Sequence, residues 1–402
     1  MNYSIDEVLQ YVREEDVKFV RLAFCDVLGT PKNISIMADE LPRALDQGVA
    51  FDGSAIFGAM DGAERDLILT PDAGTLVPLP WRPEHGRVVQ LFSTIHRSDG
   101  TPFIGDTRAL LARAIDEAEC RGISFRFGSR QEFYLFELDE LGRPTKRPCD
   151  QAGFMDIAPE DRGENVRREV CLTLERMGIH PESSHHEAGP GQNEIDFRHA
   201  DALAAADNAM TFQRVVRTIA HRNGLCADFS AKPLDDKPGN GFHIRVAPEP
   251  CGDGALEAAA AGLLAHAREM TLFLNPAEGS YRRLGTGRAP GFISWSAENR
   301  SQLVKLVSMD GRLRCVELRS PDPSANPYIA FALVIHAAMD GIERGMVLPA
   351  GLNEQLAAAS SDAHTGFEQL PGDIAAAREA ALKSDFINTC IPPEIVSVFC
   401  RA

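Results

Sequence analysis

The side chains with the most chemistry to offer are acids set beside a turn. Glu187 and Glu194 fall in SHHEAGPGQNEIDF, seven residues apart with Gly-Pro-Gly between them. A turn there folds two strands back on each other and brings both carboxylates to one face. Glu132, in GSRQEFYLF, belongs to a separate expected strand and supplies a third. Carboxylates gathered in this way repel one another unless a cation sits among them, and oxygen donors suit magnesium or manganese. Zinc fits less well, because no cysteine accompanies the histidines. Taken singly, each acid reads equally well as a solvated turn residue. Arg130 stands two places before Glu132, so both leave the same face of their strand, and its plain reading is an ion pair on a solvated surface.

Basic side chains form a second group. SYRRLGTGRAP carries Arg282, Arg283 and Arg288; SAENRSQLVK carries Arg300 and Lys305; VELRSPDPSANPY carries Glu317 and Arg319. Guanidinium forks bind carboxylates and phosphates bidentately. Arginines concentrated in loops between apolar segments therefore point to an anionic substrate.

The elements that must position these residues are strands and helices in mixed order. VKFVRLAFCDVLGTPKNISI, LILTPDAGTLVPLPW and GRVVQLFSTIH read as strands and turns of a small β-rich domain, 1–97, closed by the turn-rich SDGTPFIGDTR. Beyond it, 98–402 reads as one α+β domain. Asp106 or Thr107 caps a helix that Gly122 stops. Strands are expected through GSRQEFYLF, GQNEIDFRH, FHIRV and RLRCVELRS. Helices are expected through VRREVCLTLERMG, ALAAADNAMTFQRVVRTIAHRNG, ALEAAAAGLLAHAREMTLFL and NPYIAFALVIHAAMDGIERG, with peripheral alanine-rich helices after 350.

Composition narrows the function. The net charge of −17 over 402 residues argues against a nucleic-acid partner. Nine scattered cysteines without a CxxC pair suit reduced thiols and a cytoplasmic location. The first ten residues show no secretory pattern, and the most apolar stretch is interrupted by His266, Arg268 and Glu269, so no membrane span is expected.

The ordered blocks FCDVLGTPKN, FDGSAI, PDAGTLVPLPW, DGTPFIGDTR, QEFYLF, SSHHEAGPGQNEIDF, GNGFHI, GSYRRL, AENRSQL and ELRSPDPSANPY resemble the glutamine synthetase family, of the bacterial type I kind, over nearly the whole chain. The resemblance implies an N-terminal β-grasp domain followed by a catalytic half-barrel of antiparallel strands backed by helices. It also implies a double-ring homo-oligomer with sites between subunits, Asp52 reaching into a neighbour's site. By the same resemblance Glu132, Glu187 and Glu194 hold a first metal, and His243 and Glu317 belong to a second. Asn240 and Gly241 lie on the loop that contacts glutamate. Arg283, Arg300 and Arg319 grip the glutamate carboxylate and the transferred phosphate, while Lys305, Arg300 and Arg245 lie towards the nucleotide. The implied reaction, with ATP and Mg2+ (or Mn2+), activates a γ-carboxylate of glutamate or a similar acid by phosphorylation for attack by ammonia or another amine.

Several positions depart from the family pattern. Arg130 replaces the third ligand of the second metal, and a guanidinium cannot coordinate a cation. Arg288 replaces the flap glutamate, Ala55 a serine and Phe154 a tyrosine of the ammonium pocket. Arg245, Ala247 and Cys315 differ near the nucleotide, and the tyrosine loop used for adenylylation has no counterpart. These departures leave two readings: a ligase for a larger or less polar amine, or a degenerate member that binds ligands as a sensor or interaction protein.

Overall fold

The computed structural model describes residues 3–53, 56, 66–82, 85–250, 252, 254–352 and 366–401. It begins with a helix that the strand pattern had obscured, α1 (Ile5–Glu14), capped by Ser4 with Glu7 reaching back to complete a capping box. There follow β1 (Val17–Cys25), β2 (Pro31–Met37), α2 (Leu41–Gln47), β3 (Val49–Asp52), β4 (Asp66–Pro71), β5 (Val77–Pro78) and β6 (Arg87–Arg97). They form one sheet in the order β2-β1-β6-β4-β3, with β5 also on β6 and β1 parallel to β6. DVLG turns the chain between β1 and β2, which pair as an antiparallel hairpin.

Helix α3 (Thr107–Cys120) starts from Asp106, whose side chain accepts from the Arg108 and Ala109 amides. The next strand, β7 (Ser124–Leu138), is the axis of a second sheet. Around it lie β8 (Pro144–Pro148), α4 (Glu164–Arg176), β9 (Pro181–His186), β10 (Gln192–Asp201), α5 (Ala202–Arg222), β11 (Leu225–Asp228) and β12 (Phe242–Glu249). After α6 (Ala255–Ala265), α7 (Ala267–Leu274) and α8 (Glu278–Arg283) come β13 (Trp295–Ser296), β14 (Val304–Met309), β15 (Arg312–Leu318) and α9 (Pro327–Glu343). The sheet runs β13-β14-β15-β12-β7-β10-β9, with β8 and β11 on the far end of β7. All its pairings are antiparallel except β13/β14.

Alternation along β7 divides the sheet's two jobs. Phe125, Phe127, Phe133 and Leu135 face the helices and are buried, Phe127 stacking on Phe331 of α9 and Phe133 meeting Phe212 of α5 edge-on. Arg126, Gly128, Arg130, Glu132 and Tyr134 take the other face. Helix α9 is apolar on all sides because it is enclosed on all sides.

Two expectations change. The long apolar helix breaks at His266, whose ring bridges Glu269 and Asp340 and stacks on Phe386, giving α6 and α7. The late helices α10 (Ile374–Leu382), α11 (Asp385–Cys390) and α12 (Pro393–Arg401) are not peripheral: Ala377, Ala381, Ile387, Ile395 and Phe399 are buried in the main core. Alanine-rich faces read as surface in a sequence, but here small side chains let these helices pack close.

Candidate active site

Strand register does most of the positioning. Glu132 on β7 stands directly opposite Glu194 on β10, and Glu194 in turn opposite His185 on β9. Like charges facing across a ladder destabilise it unless something intervenes. Glu187 lies just past β9, where its amide donates to Gln192 O at 2.8 Å. The Gly-Pro-Gly turn that joins the strands needs its first glycine: a Cβ on Gly189 would lie 2.0 Å from the Tyr134 hydroxyl oxygen.

The donor atoms form two overlapping groups, Glu132 with Glu194 and His243, and Glu187 with Glu194 and His185, each with atoms within 4.8 Å. The expected carboxylate trio is therefore linked through Glu194, and His243 joins the glutamates rather than Glu317. His243 Nε2 is 3.2 Å from Glu132 Oε1, while its Nδ1 is buried without a hydrogen-bond partner. Burial, and then the Arg319 charge, push His243 down from its ordinary value, leaving a neutral imidazole with a lone pair to offer. Burial alone would raise Glu132, but His243, Arg283 and the Gly241 N–H, which donates at 2.8 Å, hold it at about 2. Burial drives Glu194 well up, against Arg130, with Glu132, Asp196 and Glu187 adding to the rise. An ionised glutamate facing a second acid that resists ionisation is an arrangement a divalent cation would settle, so these residues fit one ion.

The cleft above them has a volume of about 260 Å³. Arg130, Glu132, Glu187, Glu194, His243, Arg283, Arg288, Arg300 and Arg319 all line it, so most of the sequence-predicted residues do converge. A larger hollow of about 540 Å³ beside α5 gathers none of them, and size is no guide to the site. Arg283 is buried and donates to the Ser320 carbonyl at 2.7 Å and the Arg319 carbonyl at 3.2 Å. Arg319 pairs with Glu317 while its Nε is buried without a partner. Asn240 spends its amide inside the fold, donating to the Asp228 and Ser230 carbonyls, so it shapes the loop. A Cβ on Gly241 would meet the His243 ring at 2.5 Å, which fixes that position as glycine.

Other expected residues lie apart from the cleft. Asp52 is exposed at the end of β3, in the other sheet. Lys305 is half-buried opposite Glu317 in the β14/β15 ladder. Ala55 lies outside the described residues.

The family model described as glutamine synthetase, catalytic domain, matches residues 104–402, and that of its beta-Grasp domain matches 16–98. The chain belongs to the glutamine synthetase family. Glutamine synthetase of Staphylococcus aureus strain MW2 is 39% identical over 414 aligned residues, covering 99% of this chain and 93% of that protein. The Staphylococcus epidermidis enzyme is 40% identical over 415, with the same coverage. Among solved structures, a GmaS/ADP complex superposes with a TM-score of 0.88 at 27% identity, covering 98% of this chain and 94% of the other. Plasmodium falciparum glutamine synthetase, at 19% identity and a TM-score of 0.86, shares the fold over all of this chain and 95% of its own. The expected β-grasp and antiparallel half-barrel are thus present, and the chain is a C–N ligase of this family, whose members use ATP and divalent metal ions.

Within that family frame, Arg130 does not sit on a solvated surface. Its Nη2 is 2.6 Å from Glu194 and its Nε 3.0 Å from Asp196, all three side chains being buried. Asp196 escaped the sequence reading, although E-I-D on β10 opposite R-Q-E on β7 carried the signal: antiparallel register sets acid against acid and acid against arginine. His185 was also missed. It bridges Glu187 at 3.2 Å and approaches Glu194 at 3.6 Å. Phe154 meets the His185 ring edge-on, and the Arg288 guanidinium lies 5.1 Å over Phe154. Among the described residues no helix is long and apolar enough to cross a membrane.

Proposed function

We propose that this protein phosphorylates the γ-carboxylate of glutamate, or a similar acid, with ATP and joins it to an amine larger than ammonia. The observation that carries the acceptor part is the Arg288–Phe154–His185 stack beside Glu187. Where the family pattern has a flap carboxylate and a tyrosine, this entrance has a cation lying on an apolar ring. A phenyl face offers no hydrogen bond to ammonium but packs against a carbon substituent. The likeness to two GmaS structures, one an ADP complex and one without ligand, supports a nucleotide site.

The chain's own residues divide the work. Arg283 and Arg319, fixed by burial, hold the substrate's negative groups, and Arg300, exposed at the cleft mouth, closes over the nucleotide's phosphates with Lys305 behind it. The Gly239–Gly241 loop presents backbone to the acid. Glu187 accepts the proton lost by the attacking amine, as the flap residue here stays charged. The divalent ion held by Glu132, Glu187 and Glu194 would supply charge neutralisation at the acyl phosphate. Asp52 would complete a neighbouring subunit's site in a homo-oligomeric ring. Relatives bearing enzyme names give the sensor alternative no support.

The test is phosphate release with ATP, Mg2+, glutamate and a panel running from ammonium to alkyl and aromatic amines, the amide being identified by mass spectrometry. A larger amine is expected to show the highest kcat/KM. Preference for ammonium would refute the acceptor assignment, and no turnover with any amine would refute the ligase reading for glutamate.

A further inference from the structure

The family pattern provides for two divalent ions, and the second does not fit this chain. Its place lies around Glu317 and position 130. Here the carboxylates of Glu194, Asp196 and Glu317 are already met by the guanidiniums of Arg130, Arg245 and Arg319. Arg130 binds Glu194 at 2.6 Å and Asp196 at 3.0 Å. Arg245 binds Glu317 at 3.2 Å, lies 3.9 Å from Asp196, and reaches Glu182 at 3.1 Å. Arg319 pairs with Glu317 on its other side.

The ladder makes this a built arrangement. Arg130 faces Asp196 on one side and His243 on the other, and Arg245 faces Glu317. Each of the three buried carboxylates is thus already met by at least one guanidinium in a place with little solvent. An incoming divalent ion would have to take a carboxylate from an arginine, leaving that guanidinium buried and unpaired beside added positive charge. Among the first ion's ligands only Glu194 is shared with an arginine, while Glu132 and Glu187 pair with none among the described residues, so that ion finds two carboxylates held by no guanidinium where the second finds none.

We propose that Arg130 is a built-in cation standing in for the second divalent ion, so that each site takes a single ion. Arg130 lines the cleft, and its Nη1 makes no hydrogen bond among the described residues, so it can donate to a phosphate oxygen where a metal would otherwise bridge. A fixed guanidinium supplies one charge where an ion supplies two.

The test counts ions and needs no turnover, so it is decided separately from the acceptor amine. Full-length protein without nucleotide is titrated with Mn2+, free ion being read by electron paramagnetic resonance. One ion per chain is expected; two of similar affinity, or none, would overturn the proposal. Arg130→Glu should raise the count to two. If that variant folds, by circular dichroism and native mass, and still takes one ion, Arg130 is not what excludes the second and the proposal fails. If it does not fold, the count on the unaltered protein decides, together with Mn2+-soaked crystals, in which density between Asp196 and Glu317 would be contrary.

Discussion

Glu132 and Glu194 face each other across the β7/β10 ladder, two acids in register at the floor of the cleft. On the proposed function, a divalent ion between them settles this repulsion. Adding Mn2+ at about a hundred times its dissociation constant should therefore stabilise the protein by about 2.7 kcal/mol in urea unfolding. Glu132→Gln should abolish most of that gain, and chelation should stop phosphate release until Mg2+ is restored. Equal stabilisation of the Glu132→Gln protein would place the ion elsewhere.

Arg130→Ala should be among the most damaging single changes in the second sheet. It leaves Asp196 and Glu194 buried without their shared partner, and breaking such a cluster costs about 3–5 kcal/mol. Arg130→Lys should recover only part of the loss, since one ammonium cannot present two fixed donors to two carboxylates. The urea midpoints of the two variants check this, and a loss under about 1 kcal/mol for alanine would mean the pairings contribute as little as surface ones do.

How much of this was legible beforehand depends on the range of the interaction concerned. Capping at Asp106, the apolar run of α9 and the turn between Glu187 and Glu194 are written in neighbouring residues, and they were readable. Arg130 was visible as an oddity, but its partner Asp196 is 66 residues away. Only the register of β7 against β10 brings the two together, and sequence periodicity gives faces, not registers. Arg288 and Phe154 were each noticed as a departure from the family pattern; that they touch depends on a loop and a turn meeting across the cleft. The late helices were misjudged because alanine does not announce burial.

The contact between Arg288 and Phe154 gives a specificity prediction. A cation over a phenyl ring contributes about 0.5–2 kcal/mol. If the stack shapes the acceptor's entrance, Arg288→Ala should raise KM for the amine between about twofold and thirtyfold and leave KM for glutamate within error. Phe154→Tyr should move preference towards ammonium by restoring a hydroxyl. A matching rise in KM for all three substrates would show that the loop, not the stack, had been disturbed.

Beneath the Glu187 turn, the Asp150–His186 pair should set the pH range of stability. Burial alone would raise Asp150 and lower His186, but the 3.1 Å contact between them reverses both, with the Gly191 amide and the Glu187 carbonyl assisting. Asp150 is held at about 2, below its ordinary 3.8, so its contribution is present above that ordinary value and lost as pH falls towards 2. His186 is raised above its ordinary 6.5, so its contribution is complete below 6.5 and lost as pH climbs through the raised value. Unfolding free energy followed from pH 3 to 9 should thus be highest between about 4 and 6.5 and decline on both sides. Asp150→Asn removes both the depressed carboxyl and the charge that elevates His186, so it should flatten the alkaline limb and make the acid one shallower, Glu132, also held at about 2, keeping part of it. An alkaline limb that persists in Asp150→Asn would assign that titration to a different group and leave the turn's footing to hydrogen bonds that do not depend on charge.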